Sequence, residues 1–142
     1  MHRIADSPAF RWPVRVYYED TDAGGVVYHA SYLKFMERAR TEWLRCLGFE
    51  QDALRREAGV QFSVRRATVD YLRPAVFNDL LTVTVALTDL GGASLDLIQD
   101  VLRDADGVLC CRGAFQIVCV DAATLRPARI PKQLLAEIAD GL

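Results

Sequence analysis

Two aspartates separated by one residue, Asp20 and Asp22, fall in a run of turn formers, Glu19-Asp20-Thr21-Asp22-Ala23-Gly24-Gly25. A carboxylate in such a bend can serve as base or nucleophile, and the glycine pair lets backbone approach a ligand closely. Directly downstream, near His29, Ala30 and Ser31, a long amphipathic helix begins. Free N–H groups at a helix start polarise an oxygen that gains negative charge. Together these residues suit attack on a carbonyl, with Asp22 facing a thioester held at the helix N-terminus.

Other readings of the same residues stay open. Aspartates favour turns and helix starts in any case, so the pair can be simple solvated turn residues. A phosphotransferase loop of the form D-x-D-x-[TV] would need Thr or Val where Gly24 stands, and a parallel α/β alternation that the chain lacks. His29 is one of two histidines. Its ring either packs at the helix start or helps to orient a substrate whose carbonyl meets its backbone N–H. With no cysteine or second histidine nearby in sequence, a metal site is not expected. Ser31 reads as a helix cap rather than a nucleophile, and no G-x-S-x-G elbow is present. Arg126, Arg129 and Lys132 form a basic cluster that is either solvated surface or a contact for the phosphates of a nucleotide-bearing carrier.

The elements that must position these groups follow from periodicity. After a loose lead-in from Met1 to Phe10, Pro13 and the run VRVYY predict a first strand. Tyr32, Met36, Ala39, Trp43 and Leu47 form one apolar stripe, widened by Phe35 and Cys46, and predict a helix over 31–47 that ends at Gly48. Its length of roughly 25 Å is enough to cross a sheet face. A short second helix is predicted over 51–58, stopped by Gly59. The period then changes to two. Val60, Phe62 and Val64 alternate, and the apolar parity shifts to Ala67, Val69 and Tyr71, which predicts a β-bulge at Arg65–Arg66. Strands follow over 81–88 and 93–102, with a hairpin turn at 104–107 and a long apolar strand over 108–120 that reads as central and buried on both faces. A terminal helix starts at Pro131. The order of one strand, a long helix and four successive strands implies an α+β fold in a single domain spanning 1–142, an antiparallel sheet curled around one helix.

Composition narrows the function. A net charge of −2 gives no electrostatic reason to expect nucleic acid or an anionic membrane as partner. No apolar run approaches the ~20 residues of a membrane helix, and the N-terminus has no signal-peptide pattern. Cys46, Cys110, Cys111 and Cys119 match neither a redox pair nor a zinc ribbon. Three of them lie in an apolar strand, as small buried thiols of a cytoplasmic protein.

The run Y-x-D-T-D-x-x-G-V-V-Y-H-x-x-Y, from Tyr18 to Tyr32, resembles the signature of the hotdog-fold acyl-CoA thioesterases. The likeness is to the branch associated with the Tol-Pal system and related to 4-hydroxybenzoyl-CoA thioesterase. It continues through FMERARTEWL, VDYLRPA, FNDLLTVTVALTDLGGASL and RPARIP. The resemblance implies hydrolysis of an acyl-CoA, or of an acyl carrier protein thioester, with Asp22 as catalytic carboxylate and the His29 N–H polarising the carbonyl. Asp20 matches the less direct first aspartate of the motif. Gly25, Val27, Tyr28 and Tyr32 fill further positions of it, and these four together with Asp20 are the expected substrate contacts. No cofactor or metal is implied, CoA being part of the substrate. A homodimer or homotetramer with shared sites is implied. Rivals are a dehydratase or hydratase of the same fold, against which the D-T-D motif argues, and a non-catalytic acyl-binding or interaction protein.

Overall fold

Four consecutive strands, β3 (Val60–Tyr71), β4 (Leu80–Leu90), β5 (Ser94–Arg103) and β6 (Leu109–Asp121), pair antiparallel in a computed structural model that describes residues 2–3 and 10–140. Two short strands, β1 (His2–Arg3) and β2 (Phe10–Arg15), pair with β4, and the sheet runs β1-β4-β5-β6-β3 with β2 also on β4. Residues 1 and 4–9 of the expected lead-in lie outside the described residues.

The alternation that marked the strands sets their faces. Leu81, Val83, Val85 and Leu87 of β4, Leu95, Leu97 and Val101 of β5, and Cys111, Phe115, Ile117 and Cys119 of β6 are all buried on one side. Helix α1 (His29–Cys46) lies across that side with Phe35, Met36 and Ala39 fully buried. The predicted bulge is present: the register passes from Val64↔Ile117 to Arg66↔Gln116. The extra residue brings Ala67 opposite Phe115, so the apolar set before the bulge and the set after it face the same side. Gly113, on this face of β6, makes room for the helix. A Cβ there would stand 2.9 Å from the Met36 sulfur and 2.6 Å from a Phe115 ring carbon.

Helix α1 ends as expected. Gly48 has φ +96°, its N–H donates to the Arg45 carbonyl at 2.9 Å, and the Phe49 N–H donates to the Leu44 carbonyl at 3.0 Å. This pair of bonds closes the last helical turn as a Schellman motif. The second helix, α2 (Gln51–Ala53), continues as a π-turn over Leu54–Ala58 and stops at Gly59, φ +67°. The terminal helix α3 (Lys132–Asp140) follows Pro131 and buries Leu134 and Ile138.

Three expectations are corrected. The strand expected first is β2, Phe10–Arg15, not a run ending at Tyr18, and His2–Arg3 of the expected loose lead-in pair with β4 ahead of it. Val16 leaves the ladder to pair with Asn78 and Asp79 of the β3–β4 loop, and Tyr18–Asp20 wind into a 3-10 turn. Between Cys111 and Cys119, strand β6 is fully buried on one face alone: Arg112 is exposed and Ala114, Gln116 and Val118 are half-buried, because α1 covers a single side of the sheet. Cys46 is exposed and does not extend the buried stripe of α1.

Candidate active site

The chain between β2 and α1 is folded by its own polar groups. The Asp20 carboxylate accepts the Tyr17 N–H at 2.8 Å, and the residue is only 7% exposed. From Asp22 to Gly25 the chain reverses: the Gly25 N–H donates to the Asp22 carbonyl at 3.0 Å and the Asp22 N–H to the Val26 carbonyl at 2.9 Å. Gly25 adopts φ +82° here, which explains a glycine at the bend. Asp22 Oδ1 accepts the Gly24 N–H at 2.8 Å. That bond occupies one carboxylate oxygen of an exposed side chain and aims the group.

The start of α1 is then tied down from two directions. The Tyr28 N–H donates to the Asp20 carbonyl at 2.8 Å, and the Val27 N–H to the Ala75 carbonyl at 2.9 Å. The Ala75 N–H in turn donates to the Tyr32 hydroxyl at 3.1 Å. Burial pushes the Tyr32 hydroxyl pKa up, against the lowering effect of that bond. Tyr28 is the N-cap, and no side chain caps the helix, so Ser31 does not play the capping part expected of it. It is buried inside the first turn instead. The first N–H groups of a helix have no intrahelical acceptor, and here the turn that carries them opens onto a cleft.

That cleft, of about 310 Å³, is lined by Asp22, Val26, Val27, His29, Tyr32, Tyr71, Leu72, Arg73 and Pro74. The fold therefore brings Asp22, Val27, His29 and Tyr32 together, while Asp20, Gly25 and Tyr28 are outside its lining. Asp20 and Gly25 shape the loop, and the Tyr28 ring lies 4.4 Å from the His29 ring, centroid to centroid. Arg103 of β5 braces the opposite wall, donating to the Pro74 carbonyl at 3.1 Å. Among the described residues no cluster of His, Cys, Asp and Glu could hold a metal ion.

Tyr71 is the residue that periodicity did not mark for the site. It ends β3 on the inner face, its hydroxyl meets the His29 carbonyl at 3.1 Å, and its ring lies 6.2 Å from His29 and 5.8 Å from Tyr32. Desolvation raises its hydroxyl pKa as well. The parity shift at the bulge put Tyr71 on the inner face, but its place beside His29 depends on how α1 crosses the sheet. The basic cluster at Arg126, Arg129 and Lys132 follows the far end of β6. Cys111 pairs with Tyr71, and from there to Asp121 the strand runs about 33 Å. Within one chain the cluster is remote from the cleft.

A two-layer fold with one helix on an antiparallel sheet, and a carboxylate loop feeding the helix start, defines the hotdog class of acyl-thioester enzymes. Residues 16–138 match the model of the thioesterase-like superfamily. The chain is 50% identical to the acyl-CoA thioester hydrolase YbgC of Escherichia coli O6:H1, over 90% of this chain and 94% of that protein. The crystal structure of a probable thioesterase from Bartonella henselae superimposes with a TM-score of 0.81 at 33% identity, covering 87% of this chain and all of the other. A Staphylococcus aureus protein crystallised in complex with CoA shares the fold, with a TM-score of 0.87 at 18% identity over 99% of this chain and 87% of its own. The chain belongs to the thioesterase-like superfamily.

Proposed function

We infer that this protein hydrolyses acyl-CoA thioesters to a carboxylic acid and CoA. The observation that carries the reading is the shared cleft of Asp22 and the uncapped start of α1 at His29, in a chain of this family. The thioester carbonyl sits against the His29 N–H, where the helix dipole stabilises the oxyanion that forms. Asp22 supplies the carboxylate, with Oδ1 held by Gly24 and Oδ2 toward the substrate. Water that gives its proton to Asp22 adds to the carbonyl carbon, or Asp22 itself adds and water then opens the anhydride. The tetrahedral centre collapses by breaking the C–S bond, and the thiolate of CoA leaves and takes the proton that the water gives up. Val27 and Tyr32 flank the acyl group. Asp20 and Gly25 act by shaping the loop, and Tyr28 borders the entrance. The reaction needs no resident cofactor or metal.

Asp22→Asn tests this reading. Asn keeps an oxygen that can accept the Gly24 N–H, so the turn persists while the charge is lost. Free-thiol release from a panel of acyl-CoAs should fall by roughly 10²-fold or more with an unchanged melting curve. Equal turnover in both proteins would remove Asp22 from the chemistry. A single turnover in H₂¹⁸O bears on the two routes open to a carboxylate: label in Asp22 marks direct attack, through a mixed anhydride opened at the aspartyl carbon. Label in the acid alone is common to activated water and to an anhydride opened at the acyl carbon, and hydroxylamine trapping of the anhydride tells those two apart.

The same reading takes the protein as one domain over 1–142 and as a homodimer with the cleft at or near the seam. The support is the inner face of β3, an edge strand. Val64 and Tyr71 are 46% and 49% exposed there, and Leu72 beyond it 47%. A long unpaired edge with apolar side chains invites another chain. Light scattering that finds a fully active monomer would overturn the dimer. The buried reduced thiols fit a cytoplasmic setting, and among the described residues no helix is long and apolar enough to cross a membrane.

A further inference from the structure

Arg40 lies about 16 Å along α1 from His29 and is half-buried against the sheet. Its guanidinium carbon stands 4.6 Å from the centre of the Phe115 ring, and Nη1 donates to Gln99 Oε1 at 2.9 Å. Gln99 is fully buried. Its Nε2 donates to the Met36 carbonyl at 3.0 Å and to the Thr84 carbonyl at 3.2 Å. With both amide protons committed, the carboxamide oxygen must face Arg40, so the cation is held by a group that cannot turn away. Arg45, Arg56, Arg103 and Arg112 all pair with carboxylates, whereas Arg40 forms no ion pair among the described residues. Burial accordingly lowers its pKa, with Glu37 opposing weakly.

Beside this cation is a second cleft of about 180 Å³, bounded by Trp43, Leu44, Phe62, Leu95, Leu97 and Ile117, with Val64, one of the residues that support the proposed dimer seam, also in its lining. An apolar cavity of about 150 Å³ accommodates benzene, so the space suits a compact ring or short alkyl group. A planar guanidinium with donors to spare matches a carboxylate in a forked, two-bond contact. We propose that this cleft binds a small organic carboxylate, its apolar body against Trp43, Leu44, Leu95, Leu97 and Ile117 and its charge on Arg40. An incoming anion supplies the counter-charge that the half-buried cation lacks. Glu37, exposed at the rim, works against that anion and gives a handle for testing it. The hydrolysis inferred above releases an acid of this class, but the cleft argument stands without it.

The test is NMR titration of the full chain with benzoate, and with benzyl alcohol as its neutral counterpart, following the Trp43 indole and Arg40 Nε signals. Benzoate should shift both saturably, and benzyl alcohol should bind roughly tenfold more weakly, the loss of a charge-assisted contact. Arg40→Met should remove the preference for the anion. Glu37→Gln, a surface change that leaves the fold intact, should tighten benzoate several-fold and leave benzyl alcohol unchanged. Equal affinity for the two compounds, or no tightening in Glu37→Gln, would overturn the proposal. So would a benzoate affinity that weakens as protein concentration rises, since a second chain would then be filling the cleft.

Discussion

The hydroxyl of Tyr71, the last residue of β3, donates to the main-chain carbonyl of His29 at 3.1 Å, so a single hydrogen bond joins the edge strand to the first turn of the helix. His29, whose N–H is proposed to hold the thioester carbonyl, is thereby positioned through its own carbonyl. Tyr71→Phe keeps the ring contacts and deletes this bond. It should cost about 0.5–1.5 kcal/mol of stability, read as a lower melting temperature, and should reduce kcat several-fold with a smaller change in KM. An unchanged kcat would assign Tyr71 to packing alone.

Asp20 acts within the loop rather than in the cleft. Its buried carboxylate holds the Tyr17 N–H, and its carbonyl holds Tyr28. Asp20→Ala leaves the Tyr17 N–H without its acceptor and should destabilise by about 1–3 kcal/mol. Asp20→Asn, which retains an acceptor, should lose clearly less. Chemical denaturation of both variants measures the difference, and equal losses would show that charge rather than hydrogen bonding matters at this position.

Gly113 lets α1 approach the sheet. Gly113→Ala would set a methyl group against Met36 and Phe115, two side chains that can yield only by repacking the core around them. The expected cost is about 1–3 kcal/mol, typical of overpacking, and the Met36 and Phe115 methyl and ring signals should move. A neutral substitution would mean that Met36 swings aside freely.

Alkali should unfold the protein through its thiols. Burial raises the Cys111 thiol from 9.0 to about 12, and raises Cys110 and Cys119 as well. Between those values the native state keeps a proton that the unfolded chain has lost, so stability present below pH 9 declines as pH climbs toward about 12. Cys111→Ala should flatten the fall of melting temperature with pH in that window. In native protein, iodoacetamide should label the exposed Cys46 and spare the other three.

Much of this was legible along the chain because it depends on local periodicity and on turn chemistry. The stripe of α1, the glycines that stop it and the π-turn after it, and the alternation of β4 and β5 each express a preference of a few adjacent residues. The bulge at Arg65 was visible for the same reason, since a parity break is a local signal. Local preference misled at Tyr17 and Tyr18. Two aromatic residues after a strand read as more strand, yet the Asp20 carboxylate and the loop at Asn78–Asp79 turn the chain away. Cys46 misled too, because helical spacing says which face a residue shares and not where along that face the sheet ends.

The sequence by itself determined the order from α1 to the terminal helix, the buried face of β4, and an aspartate loop entering a helix start, together with the family likeness that these residues carry. Tertiary structure alone decided which distant groups meet. Tyr71 reaches His29, Arg103 braces Pro74, and Gln99 locks Arg40 onto Phe115, because strand register and the crossing of α1 set those contacts. Such contacts join residues tens of positions apart, and no local propensity encodes a distance across a sheet.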